Sequence, residues 1–145
     1  MLPLQDIKVL DVSQIMAGPY CTMVLADMGA EVIKVEKLNG GDDSRQMGPY
    51  VNGESTCFSQ INRNKKSISL NLKDERARQI FYRLAADADV IVENYRPGVT
   101  QSLSIDYDTI KAINPGIVYC SISGYGQTGP YSHRGGFDLV AQGMT

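Results

Sequence analysis

Four stretches of this chain bring together residue types that could do chemistry, and all four favour holding an anion over breaking a bond. The first is SQIMAGP, Ser13–Pro19, a turn running into a helix. A helix N-terminus offers unsatisfied N–H groups and the positive end of a dipole, which suits phosphate. Glu36 lies where a ribose-binding acid would stand in a dinucleotide fold, but the fingerprint GxGxxG is absent. Gly18-Pro19 read alone is ordinary turn punctuation. The second is the basic group Arg63, Lys65, Lys66 and Lys73, which could clamp a polyanion or simply be a solvated charge run. The third is Glu93–Gly98, ENYRPG: an amide, an aromatic ring and a cation at a strand end, where the ring could stack on a base, or else a plain Pro-Gly turn. The fourth is GYGQTGPYSHRGG, with five glycines between Gly124 and Gly136. Such a loop can approach a ligand closely and can move. It carries Arg134, a phosphate contact by type, and His133, which as a single loop histidine is weak as a catalyst.

These segments need a scaffold, and the apolar pattern supplies one. Ile7–Val12, Ala30–Glu36 and Asp89–Tyr95 read as buried strands, as does Ile117–Ser123, while Lys66–Leu72 alternates like a half-buried strand. Pro19 opens a helix that stops at Gly29. Asp74 caps a helix from Glu75 to about Ala88, with Ala77, Ile80, Phe81, Leu84 and Ala85 at helical spacing. Asp106 caps a shorter helix that ends before Pro115. Lys37–Glu54 is rich in Gly, Asp and Asn, has no period, and reads as a long surface excursion of functional character. LVAQGMT begins like a helix at the end of the chain. Strands alternate with helices, so the fold class is α/β with a mainly parallel sheet flanked by helices. Ligands in such sheets sit beyond the carboxyl ends of the strands. That selects Ser13–Gly18, Lys37 onward, Asn71–Lys73, Asn94–Gly98 and Gly124–Gly136.

Composition excludes several classes. The chain has 145 residues, enough for one core, and a net charge of −2, so no basic field calls for nucleic acid. No apolar run nears the roughly 20 residues of a membrane span. Cys21, Cys57 and Cys120 are odd in number, scattered and in no CxxC pattern, which fits reduced thiols in a cytoplasmic protein. With a single histidine and no ligand cluster, no metal is expected.

Five segments carry a more specific signal together: VLDVSQIMAGPYCTMVLADMGAEVIKVEK, GGDDSR, NRNKKSISLNLK, ADVIVENYRPGV and INPGIVYCSISGYGQTGPYSHRGGFDLVAQG. In this order and spacing they resemble the N-terminal region of the class III CoA-transferases, the family of formyl-CoA and carnitine-CoA transferases, also called the carnitine dehydratase/bile-acid-inducible family. The resemblance spans all 145 residues. It implies a Rossmann-like large domain, of which residues 1–145 form the N-terminal portion, and an interlocked homodimer. CoA and acyl-CoA enter as substrates beside a carboxylic acid, with no tightly bound cofactor. Carried over residue by residue, it implies CoA contacts at Met16 and Ala17, at Lys37, along Leu70, Asn71, Leu72 and Lys73, and at Asn94, Tyr95 and Arg96. Arg134 lies near a further basic position. A family arginine after the Pro-Gly turn is replaced here by Ser102.

The family's chemistry is covalent catalysis by an aspartate that passes through an acyl anhydride and an aspartyl-CoA thioester, shielded from water by a glycine loop. The resemblance places that aspartate beyond Thr145. No catalytic residue is therefore assigned within the chain, and the 145-residue chain alone is expected to bind CoA at most, without turning it over. Asp138 occupies a different position. The α-methylacyl-CoA racemase branch has a histidine where this chain has Phe137, which tilts the reading towards a transferase; a non-catalytic nucleotide-binding module is the rival from outside enzymes. The start of the last helix is expected to expose apolar surface, favouring association or marginal stability.

Overall fold

The computed structural model describes residues 1–144; Thr145 lies outside them. In chain order the elements are β1 (Lys8–Asp11), α1 (Ala17–Asp27), β2 (Glu31–Glu36), a 3-10 turn (Asp43–Gln46), β3 (Tyr50–Val51), β4 (Glu54–Ser55), α2 (Thr56–Ile61), β5 (Lys65–Ser69), α3 (Glu75–Ala86), β6 (Val90–Glu93), α4 (Val99–Ser102), α5 (Tyr107–Ile113), β7 (Val118–Ser121) and α6 (Asp138–Met144). Five strands form one sheet in the order β5-β2-β1-β6-β7, and every pairing in it is parallel. The order reverses between β1 and β6, which makes their carboxyl ends the switch point of a doubly wound sheet.

The strands read as unbroken apolar runs because both faces are covered. Successive side chains point to opposite faces. Leu10, Val12, Val35 and Ile91 join Phe81 and Ala85 of α3 and Ile110 of α5 in one core cluster. Val9, Val32 and Val92 join Ala26 of α1 in the other. The helix ends follow local chemistry. Asp74 accepts the Arg76 N–H and Asp106 the Thr109 N–H. Gly29, at φ +104°, takes the left-handed position that stops α1.

The expected α/β class is observed, with several corrections in detail. Helix α1 begins at Ala17, two residues before Pro19, because proline fits anywhere in a first turn that needs no N–H partner. Strand β5 spans Lys65–Ser69 rather than Lys66–Leu72, α3 stops at Ala86, and β6 stops at Glu93. The largest correction concerns Lys37–Glu54. Asp42 and Ser44 are buried there, and Tyr50–Val51 pairs with Glu54–Ser55 as a hairpin across Asn52-Gly53, both at positive φ. Helices α2 and α4 complete the list of elements that periodicity did not reveal. Helix α6 buries none of its residues, and Phe137, Leu139 and Met144 are exposed.

Candidate functional site

The turn after β1 is the centre of the carboxyl edge. Met16 sits at the N-cap of α1 with no side-chain cap. The N–H groups of Met16, Ala17 and Gly18 donate to no acceptor among the described residues, and Pro19 has none to donate. Ile15 has φ +68°, a left-handed conformation rare for a β-branched residue. Its N–H points to the Asp42 carboxylate, 3.1 Å from Oδ1 and 3.3 Å from Oδ2. Gly18 is more than punctuation: a Cβ there would lie 2.1 Å from Ser13 Cβ, so α1 closes onto the turn only because position 18 has no side chain.

A buried charge cluster lies beneath this turn. Asp11 and Lys34 face each other in register on β1 and β2, with Nζ 3.8 Å from Oδ2. Lys34 also donates to Asp42 Oδ2 at 2.8 Å and to the Ser13 carbonyl at 2.9 Å. Lys65 donates to Asp11 Oδ2 at 2.9 Å, and to the Pro19 carbonyl and Asn62 Oδ1 at 2.8 Å each. Thr22 and Ser13 hydroxyls complete the shell around Asp11. Burial pushes the Lys65 pKa down, with Asp11 opposing. Burial likewise opposes ionisation of Asp42, but Lys34 and the Ser44 hydrogen bonds outweigh it and hold its carboxyl below the usual range. Glu36 is similar: desolvation is overcome by Arg45, which donates to both of its oxygens at 2.7 Å, and by Ser67 and the Asp42 N–H, bringing its pKa to about 2.

Two sequence readings change here. Glu36 is enclosed by these donors and is no ribose acceptor. The basic group does not form a clamp: Arg63 pairs with Asp27, Lys65 is buried against Asp11, and Lys66 pairs with Glu31. Only Lys73 of the four is exposed with no ion pair among the described residues.

The segment after β6 closes the other side of the crevice. Asn94 is engaged by Gln14 at both ends of its side-chain amide. Its Oδ1 accepts the Gln14 N–H and its Nδ2 donates to the Gln14 carbonyl, both at 2.8 Å. The Tyr95 ring packs against the core cluster of α3 and its hydroxyl accepts from Gln14 Nε2 at 3.3 Å, so it is not presented as a stacking face. Burial raises its pKa. Arg96 is exposed and reaches the glycine loop, where a Cβ on Gly135 would be 3.6 Å from its Nη2. Lys37 is exposed and pairs with Asp43. Leu70 and Leu72 turn their side chains into the core, leaving Asn71 and Lys73 outward. Arg134 lies over the Tyr131 ring at 4.3 Å, and His133 is exposed. Ser102 donates to the Val99 carbonyl of its own helix.

The carboxyl edge thus gathers the Met16–Gly18 N–H groups with the outward cations Lys37, Lys73 and Arg96, a set suited to phosphate oxygens. Its carboxylates Asp11, Glu36 and Asp42 are buried in ion pairs, Glu93 is buried and accepts the Tyr95 N–H, and Asp43 shares an exposed pair with Lys37. The residues that sequence reasoning missed are Asp11, Lys34, Asp42 and Arg45. Ionic residues inside the apolar runs VLDV and VIKV were the available signal.

The profile of the family described as CoA-transferase family III matches residues 4–145. A mouse protein named succinyl-CoA:glutarate CoA-transferase is 53% identical over 146 residues, covering 100% of this chain and 34% of its own length. An Acetobacter aceti protein named acetyl-CoA:oxalate CoA-transferase is 46% identical, covering 99% of this chain and 37% of its own length. The crystal structure of a CAIB/BAIF family protein from Brucella suis superposes with a TM-score of 0.93 at 44% identity, over 99% of this chain and 39% of that one. The chain spans about a third of the length of the curated relatives it matches.

Proposed function

Because the chain belongs to CoA-transferase family III, we propose that its carboxyl edge holds the nucleotide end of CoA for an enzyme that moves CoA between short dicarboxylic acids. The observation that carries this reading is the row of unpartnered N–H groups at Met16, Ala17 and Gly18 beside the outward cations Lys37 and Arg96. Contacts from Leu70–Lys73 then come from the Asn71 and Lys73 side chains and from backbone. Asn94 and Tyr95 act by fixing Gln14, and Arg96 reaches ligand and glycine loop together.

The acid specificity is drawn from the names of the relatives, whose acids are succinate, glutarate and oxalate. The nucleophilic aspartate is supplied from outside residues 1–145, as the family resemblance implies; at this edge Asp11, Glu36 and Asp42 are buried in ion pairs and Glu93 is buried, accepting the Tyr95 N–H. The nucleophile takes the acyl group of the donor as an anhydride and releases CoA thiolate. The thiolate attacks the aspartyl carbonyl and expels the donor acid. The acceptor carboxylate then attacks the aspartyl thioester, forming a second anhydride and freeing the thiolate. The thiolate attacks the acceptor's carbonyl to give the new acyl-CoA and the free aspartate. The partner of the working enzyme is a second copy of the chain.

Calorimetric titration of the 145-residue chain with CoA, together with mass spectrometry of succinyl-CoA and glutarate mixtures, tests this. The expected result is salt-sensitive CoA binding with no glutaryl-CoA formed by the chain. A longer protein containing it forms glutaryl-CoA. Exchange by the chain alone would overturn the assignment of the nucleophile, and absence of CoA binding would overturn the site.

A further inference from the structure

We propose that Asp42 is a positioning residue for the ligand-facing turn: by accepting the Ile15 N–H it holds Ile15 in a left-handed conformation that isoleucine otherwise avoids, and so keeps the Met16 and Ala17 N–H groups outward. This rests on the CoA reading above and adds to it a residue that touches no ligand.

The geometry carries the inference in three steps. Ile15 is 44% exposed, so its side chain gains little by adopting φ +68°; the backbone must be held there from outside. Among the described residues its N–H is held by Asp42 alone, whose two oxygens lie 3.1 and 3.3 Å away. Asp42 in turn cannot move. Lys34 binds its Oδ2 at 2.8 Å, and the Ser44 N–H and hydroxyl bind its Oδ1 at 2.8 Å each. Its own N–H donates to Glu36 at 2.8 Å. Lys34 also grips the Ser13 carbonyl at the base of the same turn, at 2.9 Å. The loop after β2 therefore sets the backbone of the loop after β1 through one buried carboxylate. A carboxylate accepting an N–H makes one of the stronger protein hydrogen bonds.

The test uses Lys34→Met/Asp42→Leu, which removes both charges together so that neither is buried alone, beside Lys34→Met/Asp42→Asn, which keeps an acceptor oxygen. Amide hydrogen exchange at Ile15 and CoA titration are measured on both. The expected result is faster Ile15 exchange and roughly tenfold weaker CoA binding in the leucine variant, the size of one lost charge-assisted hydrogen bond. The asparagine variant recovers both. Adding Ile15→Gly to the leucine variant recovers binding without any acceptor, because glycine takes positive φ unaided; a purely structural role for Asp42 predicts no such recovery. Unchanged Ile15 exchange in the leucine variant, or failure of glycine to recover binding, overturns the proposal. Should the leucine variant not fold, the unaltered chain decides: Ile15 must exchange more slowly than Met16 and Ala17, and equal rates sink the idea. If the unaltered chain binds no CoA, the functional reading falls, while Ile15 exchange still judges the role of Asp42.

Discussion

Gln14 and Asn94 exchange two hydrogen bonds of 2.8 Å across the switch point of the sheet, with one side-chain amide imitating the donor and acceptor of a neighbouring strand. Strands β1 and β6 pair only as far as Asp11 and Val92, and Val12 adds one further bond to the Val92 carbonyl. Beyond that point the two chains diverge to form the crevice. Asn94 ties them there, with the Tyr95 hydroxyl accepting from Gln14 Nε2 beside it, and it fixes Gln14 immediately before the turn that carries the unpartnered N–H groups.

Asn94→Leu leaves the Gln14 N–H and carbonyl without partners in a half-buried place, so it should cost roughly 1–3 kcal/mol. Asn94→Asp keeps the acceptor but sets a carboxylate oxygen against the Gln14 carbonyl, and should fall between leucine and the unaltered chain. Urea unfolding midpoints would show the order. Three indistinguishable midpoints would mean that the tie is open in solution.

Gly18→Ala should be among the most damaging small substitutions in the chain. The added Cβ would stand 2.1 Å from Ser13 Cβ and 2.4 Å from Ser13 Oγ, and Ser13 is itself held by Asp11. Forcing α1 away from the turn should cost about 3 kcal/mol, the upper range of overpacking. Ser13→Gly removes the obstacle, so Gly18→Ala should cost far less in that background. The double-mutant cycle measures this coupling directly, and additive costs would refute the clash.

Glu36 gives the fold a specific acid sensitivity. Its pKa is 4.5 in the unfolded chain and about 2 in the fold. The folded state therefore binds fewer protons, and the stabilisation is complete above about pH 5 and is lost as pH falls towards 2. That lowering of the Glu36 pKa corresponds to about 3 kcal/mol. Chemical unfolding between pH 7 and pH 2 should show this loss. Glu36→Gln should be less stable at pH 7 yet flatter with pH, and an unaltered pH slope would count against the Arg45 pairing.

How much of this was legible follows from which forces act locally. The alternation of strands and helices was legible because burial on both sheet faces writes apolar runs into the sequence, and the caps at Asp74 and Asp106 act within three residues. The order β5-β2-β1-β6-β7 was not, since periodicity says nothing of which strands are neighbours. The hairpin around Asn52-Gly53 was missed because its strands are two residues long and carry too little alternation to stand out from a loop. The resemblance selected residues at the carboxyl edge but could not separate those facing outward from those facing protein. Asn94 and Tyr95 turn to Gln14, and Leu70 and Leu72 turn to the core, for reasons set by residues far away in sequence.

Lys65 and Lys66 show the same limit most sharply. As neighbours in β5 they are alike in sequence, but the strand's period of two sends them to opposite environments. The Lys65 side chain is 2% exposed and donates to Asp11, whose carboxylate is fully buried. The Lys66 side chain is 72% exposed and pairs with Glu31 at the surface. Removing Lys65 leaves Asp11 buried with only the more distant Lys34, 3.8 Å away, as a cation, so Lys65→Ala should destabilise by about 3 kcal/mol, the low end for a broken buried pair. Lys66→Ala should unfold within error of the unaltered chain, because water and salt already screen an exposed pair. Adding salt should weaken the Lys66 contribution further and leave the Lys65 effect in place. Comparable losses from both substitutions in urea unfolding would mean that the inward turn of Lys65 onto Asp11, and with it the whole buried cluster beneath the first turn, is not present in solution.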